Sequence, residues 1–265
     1  MNKYFLVFII ILSNLCFSEE NLDTADAPKT ILFWNTAQKL DGFKNYKEIL
    51  PTRLVSKNVQ PYPLTYNLVD LSNLTYTYKN RKFSINDFIE NFKVAGLIVV
   101  RDGVILHEDY NFGNSESTQW ISFSVTKSVT SMLIGAAIQD GFIKSVEDRV
   151  TTYLPQLMNS KYKDVSIKDV LHMSSGIDWN EDYTDPSSDV NIAGAMNSLS
   201  LYQYLDTLNS VASPGTKFNY NTGETNLLGG IVRSAIGNNL SSYLEQKIWK
   251  PFGMEFDAYW AIDSD

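Results

Sequence analysis

Two serines stand three residues ahead of a lysine: Ser124-Val125-Thr126-Lys127 and Ser160-Lys161-Tyr162-Lys163. On a helix that spacing puts both side chains on one face, a turn apart. A lysine so placed can take the hydroxyl proton and release a nucleophilic oxygen. Spacing alone selects neither pair, because 26 serines and 17 lysines in 265 residues generate about two such tetrads by chance. Context separates them. Ser160 lies in a polar, lysine-rich loop. Ser124 lies where a nearly uncharged apolar helix begins, and Lys127 is then a cation expected to be buried. Burial disfavours its ammonium and makes it a proton acceptor. The helix N-terminus also favours a developing serine alkoxide.

A serine nucleophile needs a proton-transfer partner. Gly-x-Ser-x-Gly is absent, and the two histidines, His107 and His172, fall in an expected strand and an expected helix. The more common reading of each is structural, which argues against an α/β-hydrolase. The partner that works with Ser-x-x-Lys is a tyrosine or serine from a second motif. Tyr220-Asn221-Thr222 follows the turn Ser213-Pro214-Gly215 and precedes a helix. A phenol held beside an ammonium can ionise near neutral pH and act as general base. Tyr78-Lys79-Asn80 also has the Tyr-x-Asn form but precedes the serine helix.

These groups need elements to hold them. Ser84 and Asp87 form a capping-box pattern that opens a short amphipathic helix over 85–92. The apolar runs 94–100 and 104–107 flank Asp102-Gly103, the strongest short-range hairpin signal. Both runs are continuously apolar, so a sheet covered on both faces is expected. Residues 124–140 read as a central, buried helix ended by Gly141. Ser145/Asp148 and Ser166/Asp169 open two more, towards Tyr153 and through Met173. Residues 174–190 read as a polar, acidic loop. Helices follow over 199–209, over 224–236 closed by Gly237, and over about 241–249 before Pro251. Residues 36–83 show no clear period and read as irregular coil around short elements. No internal repeat or low-complexity tract is present.

With 44% apolar and 20% charged residues, the chain is of ordinary globular type, long enough to bury a core. A net charge of −8 argues against nucleic-acid binding through phosphate neutralisation. One cysteine excludes an internal disulfide, and with two histidines it makes an ordinary zinc site improbable. No cofactor is expected. Lys3, the apolar run to Leu15 and Cys16-Phe17-Ser18 read as a secretory signal peptide, residues 1–18, cut after Ser18. The run is short for a membrane span. An exported protein, periplasmic or secreted, with no stable span after cleavage is expected. The organisation is then an irregular extension over 19–83 and one domain over 84–265.

From about Val94 to Ala261 the chain resembles the serine β-lactamase-related hydrolases of class C β-lactamase and penicillin-binding type. The resemblance rests on Ile121-Ser122-Phe123-Ser124-Val125-Thr126-Lys127-Ser128, on Val170-Leu171-His172-Met173-Ser174-Ser175-Gly176, and on Phe218-Asn219-Tyr220. Ile177-Asp178-Trp179-Asn180-Glu181-Asp182-Tyr183, with Asp185-Pro186, and Asp257-Ala258-Tyr259-Trp260 resemble its 6-aminohexanoate-dimer hydrolase and esterase branch. The resemblance implies an α+β fold of β-lactamase/transpeptidase type: an antiparallel sheet flanked by helices, with an all-helical subdomain. It implies acylation of Ser124, with Lys127 and Tyr220 exchanging its proton, and a small-molecule amide or ester as substrate. Tyr183, Asn221 and Thr222 are the expected substrate contacts, although Thr222 stands where many members have Asn. The acids Glu181, Asp182, Asp185 and Asp189 read first as a solvated loop; attraction of a substrate amine is the sharper alternative that the resemblance suggests. Nothing after Tyr220 matches the family's third motif, Lys-Thr-Gly or a His variant. The C-terminal sheet strands are accordingly expected to be missing, leaving the hairpin with an open edge and bare apolar faces. A truncated, inactive member that binds a cell-wall peptide, or a relic, is the rival expectation.

Overall fold

The computed structural model describes residues 31–262. The expected signal peptide lies outside them. The first helix, α1 (Thr36–Gly42), opens on a capping box between Asn35 and Gln38. Strands β1 (Thr52–Val55), β2 (Thr65–Tyr66), β3 (Thr75–Tyr78) and β4 (Arg81–Ser84) follow. The stretch expected as coil thus carries strands, some of which pair with distant partners. The Tyr78-Lys79-Asn80 tripeptide is the β3–β4 turn: Lys79 and Asn80 both have positive φ, 46° and 61°, as a type I′ hairpin requires.

Helix α2 (Ile85–Phe92) begins on the expected capping box, with Asp87 N–H donating to Ser84 Oγ at 3.1 Å and Ser84 N–H to Asp87 Oδ2 at 2.7 Å. Next come β5 (Gly96–Arg101) and β6 (Val104–Tyr110), turned at Asp102 and Gly103 with φ of 52° and 77°. Strand β6 lies between β5, antiparallel to it, and β2, parallel to it. The expected single antiparallel sheet is therefore replaced, among the described residues, by three small ones. The expected cover on both faces is also absent there. Ile98, Val99 and Val100 of β5 are 51%, 37% and 47% exposed, and β5 pairs with β6 alone. A continuous apolar run records what a strand can bury; covering it takes neighbours.

The helical part is closer to expectation. Helix α3 (Val125–Gln139) buries Thr130, Leu133, Ile134 and Ala137, while Val125 and Met132 stay exposed, so one face is buried rather than the whole helix. Helices α4 (Val150–Tyr153), α5 (Ile167–Leu171), α6 (Asp189–Gly194), α7 (Ser198–Thr207), α8 (Thr222–Ile236) and α9 (Leu240–Leu244) complete the set, α9 running on as a π-helical turn over Glu245–Trp249. Ser145 and Asp148 do not cap α4 as expected. Ser145 Oγ accepts from Glu147 N–H at 3.1 Å, while Asp148 accepts from Ser145 N–H at 3.2 Å and from Tyr153 Oη at 2.8 Å, folding the loop before a helix that starts at Val150. Helix α8 stops at Gly237, φ 84°.

The main core lies where α3 packs on α8. Leu133, Ile134 and Ala137 belong to the same buried cluster as Leu227, Leu228, Ile231 and Val232. Cutting Leu133 to alanine there costs about 2–5 kcal/mol. Strand β7 (Ala258–Ala261) pairs antiparallel with β1, Thr52 opposite Ala261. Ser56 N–H donates to Glu245 Oε2 and Lys57 N–H to Asp257 Oδ1, each at 2.8 Å. The residues before Ser84 are thereby tied to the domain that follows.

Candidate active site

Ser124 sits at the N-cap of α3, with φ −66° and ψ −10° and no side-chain capping bond. Its hydroxyl is free for another partner, and Lys127 Nζ donates to Ser124 Oγ at 2.9 Å. A serine read only as a helix cap would turn its oxygen back onto the backbone. Phe123, just before it, has φ 43°, a rare conformation for a bulky residue. Two contacts oppose its relaxation. The Phe43 and Phe123 rings meet edge to face at 5.0 Å, and Ile121 N–H donates to Phe43 O at 3.0 Å. A residue of the N-terminal stretch therefore shapes the chain that leads into Ser124.

Tyr220 arrives from the opposite side. Gly215 N–H donates to Ser174 O at 2.7 Å, Asn219 N–H to Met173 O at 2.8 Å, and Asn219 Nδ2 to Trp179 O at 3.1 Å. Gly176 completes this lacing. Its φ is +78°, and a Cβ there would come 2.0 Å from Ala212 O, so only glycine fits. The Ser174-Ser175-Gly176 and Phe218-Asn219-Tyr220 motifs are in this way two sides of one seam. The seam delivers the Tyr220 ring to the Lys127 ammonium, 5.2 Å from Nζ to the ring centroid. Ser124, Lys127 and Tyr220 thus come together in space across almost a hundred residues of chain. Lys127 is half-buried and Ser124 exposed, so the lysine is less enclosed than expected.

The other predicted residues divide. Tyr183 and Thr222 both bond Glu181. Its Oε1 accepts from Tyr183 Oη at 2.7 Å and from Thr222 Oγ1; its Oε2 accepts from Thr222 N–H at 3.1 Å and from Trp179 Nε1. Partial burial works to raise the Glu181 pKa, but the donors from Thr222, Tyr183 and Trp179 outweigh it and hold the carboxyl below its ordinary value. Burial, reinforced by the bond to that carboxylate, pushes the Tyr183 phenol up to about 12. Asn221, expected among the substrate contacts, is 1% exposed, and its Oδ1 accepts from Glu224 N–H at 3.1 Å as the cap of α8. Its Oδ1 thus serves the helix.

The other loop acids, read first as solvated and alternatively as attracting a substrate amine, are occupied locally. Asp182 accepts from Thr184 N–H and Oγ1, and Asp185 from Ser187 N–H and Oγ. Asp189 accepts from Asn180 N–H at 2.6 Å and from Tyr204 Oη. These are turn-forming bonds of the Asx kind.

The second tetrad is a different object. Ser160 is 4% exposed; its Oγ donates to Leu157 O at 2.7 Å and accepts from Tyr162 N–H at 3.0 Å. Lys163 points to solvent. His107 lies in β6 and His172 ends α5. Among the described residues, no group of three His, Cys, Asp or Glu side chains could hold a metal ion, and no helix is long and apolar enough to cross a membrane.

Sequence reasoning missed Glu224. It is 1% exposed in the first turn of α8, and burial pushes its carboxyl up to about 8, against the lowering effect of a bond from Ser175. Tyr162 and Asn221 lie beside it, and all three keep a buried polar atom without a partner among the described residues. An acid on the apolar face of α8, at the spacing of Leu227 and Leu228, was the available signal.

Residues 85–260 match the Beta-lactamase family. The chain is 30% identical over 231 residues to a 6-aminohexanoate-dimer hydrolase of Paenarthrobacter ureafaciens, covering 84% of this chain and 57% of that protein. A structure from Bacillus anthracis, assigned as a 6-aminohexanoate-dimer hydrolase, superposes with a TM-score of 0.78 at 22% identity, covering 93% of this chain and 66% of that one. The octameric penicillin-binding protein homologue of Pyrococcus abyssi superposes with a TM-score of 0.51 at 23% identity, covering 64% of this chain and 42% of that one. The chain therefore spans little more than half the length of the curated relative and under two thirds of the structural ones. The family match over most of the sequence, with α3 packed on α8 beside small sheets, places the chain in the β-lactamase family, with its β-lactamase/transpeptidase-like α+β fold.

Proposed function

We propose that this protein is an exported serine hydrolase that cleaves a small-molecule amide or ester through an acyl-enzyme on Ser124. The observation that carries the reading is the 2.9 Å contact from Lys127 Nζ to Ser124 Oγ beneath the Tyr220 ring. In the first half-reaction Ser124 Oγ attacks the substrate carbonyl carbon, and its proton passes to the Lys127–Tyr220 pair. The tetrahedral oxyanion then collapses. The carbon–nitrogen or carbon–oxygen bond breaks, the departing amine or alcohol takes the proton, and an ester remains on Ser124. In the second half, water gives a proton to the same pair and attacks that ester, and Ser124 recovers its hydrogen. The α3 N-terminus adds a fixed positive potential at the oxygen that becomes charged. The amide reading is supported by one relative, a 6-aminohexanoate-dimer hydrolase.

The reading is tested by labelling the full-length protein with a fluorophosphonate or a penicillin. Label on Ser124, lost in Ser124→Ala and retained in Ser160→Ala, is the expected result. Label that moves to another serine would show that the tetrad has been misread. Export is tested separately, by whether mature protein recovered outside the cytoplasm begins after Ser18.

A further inference from the structure

Glu181 belongs to no proton-transfer step above, yet its carboxylate carries more hydrogen bonds than any other acid around the cleft. Each oxygen takes two donors. Oε1 holds the Tyr183 and Thr222 hydroxyls, and Oε2 holds the Thr222 N–H and the Trp179 indole N–H. Trp179 and Tyr183 belong to the loop that runs from the Gly176 seam to α6. Thr222 is the first residue of α8, two positions after Tyr220. One side chain thus spans 41 residues of sequence to fasten that loop to the base-bearing turn. Resting on the proposed function, we infer that Glu181 is a positioning residue: it sets the Tyr220 turn relative to Lys127 and fixes the Tyr183 hydroxyl at the cleft.

Two properties of the arrangement favour this over a role in attracting a cationic substrate. All four donors come from the protein itself, so both oxygens are already engaged. The site is also about half-buried, where a carboxylate is tolerated because several donors converge on it. The same geometry explains Thr222, which stands where asparagine is usual in the resembled family. Its hydroxyl and its N–H are both turned to Glu181.

The inference separates cleanly from a charge role because glutamine can replace the acceptor array. With its carbonyl oxygen facing Trp179 Nε1 and the Thr222 N–H, its amide nitrogen can donate to the two hydroxyls, which accept as readily as they donate. In the full-length protein, Glu181→Ala is expected to slow acylation of Ser124 by about 10–100-fold, the scale of a small misplacement of reacting groups. Glu181→Gln is expected to stay within a few-fold of the native rate. Thr222→Ser should acylate normally, Thr222→Val should lose several-fold, and Glu181→Ala/Thr222→Val should be little worse than Glu181→Ala alone. Asp182→Asn, in the same loop but bonded only within it, should change nothing. Melting curves on every variant, with rates measured well below the transition, keep loss of fold apart from loss of position. If Glu181→Ala does not fold, the Thr222 pair carries the test.

A native rate in Glu181→Ala overturns the inference. So does a glutamine variant as slow as the alanine one, which would assign the effect to charge, and so do additive losses in the double variant. Ser124→Ala runs alongside. If it abolishes labelling while Glu181→Ala labels at the native rate, only the positioning role fails. If Ser124→Ala still labels, the nucleophile itself is wrong and the inference falls with it.

Discussion

Ser124 and Ser160 each precede a lysine by three residues, and the fold treats them oppositely. At Ser124 a residue with positive φ feeds directly into a long helix, the hydroxyl makes no capping bond, and Lys127 reaches it at 2.9 Å. At Ser160 the hydroxyl caps a short turn through Tyr162 N–H, bonds Leu157 O, and is buried while its lysine faces water. The difference teaches that a serine is available for chemistry when the backbone does not need its oxygen. A cap uses the lone pair that a base would otherwise have to free.

The largest expected effect tests that contrast. Ser124→Ala should reduce acylation to background, with a melting temperature close to the native one, since no cap is lost; mass spectrometry of probe-treated protein reads it. Next comes Tyr220→Phe, which keeps the ring over Lys127 but removes the phenolic oxygen. General acid–base help is worth about 10²–10⁴-fold, so kcat should fall within that range in steady-state ester hydrolysis. An unchanged kcat would move the base role to Lys127 alone.

The two tetrads also meet indirectly, because Tyr162 of the second lies beside Glu224 under the helix that follows Tyr220. A carboxyl whose folded pKa is raised, here to about 8 from 4.5, binds its proton more tightly when folded. Folding is therefore favoured by this group below about pH 4.5, and the advantage is lost as pH rises towards 8. Glu224→Gln removes the titration. It should stabilise the protein at pH 9 by an amount of the order of 2–5 kcal/mol relative to native, and by much less at pH 5. Denaturant melts at the two pH values check it; an equal effect at both would remove Glu224 as the titrating group. The smallest effect belongs to Ser160→Ala. It should leave hydrolysis unchanged while costing about 1 kcal/mol in a denaturant melt, because a cap is lost. A loss of rate without loss of stability would erase the distinction between the two serines.

Local signals read well. The capping boxes at Ser84 and Ser166, the Asp102-Gly103 turn and the Gly237 stop are each decided within a few residues, so their elements appear where the residue types place them. Ser145 with Asp148 has the same pattern and fails, because the Ser145 hydroxyl accepts from Glu147 N–H instead of Asp148 N–H, which leaves only the carboxylate half of the box, shared with Tyr153. The meeting of Ser124 with Lys127 was legible for the same local reason, one turn of helix. Tyr220 was legible by its motif, and the seam that delivers it was not. The bonds of Asn221 and Glu181 were not legible, because a polar side chain looks the same in sequence whether it faces a ligand or a backbone N–H.

Residue types and spacing alone determined that an apolar helix starts at Ser124 with Lys127 on its face, that a second motif follows a sharp turn, and that the chain has the composition to fold around a core. Those properties depend on backbone geometry repeating every few residues, which sequence encodes directly. Only the tertiary structure decided that Phe43 braces Phe123, that β1 pairs with β7, and that Glu181 binds Trp179, Tyr183 and Thr222 at once. Each joins segments far apart in the chain. Which of many chemically equivalent partners meets which depends on how the whole core packs, and no local pattern carries that information.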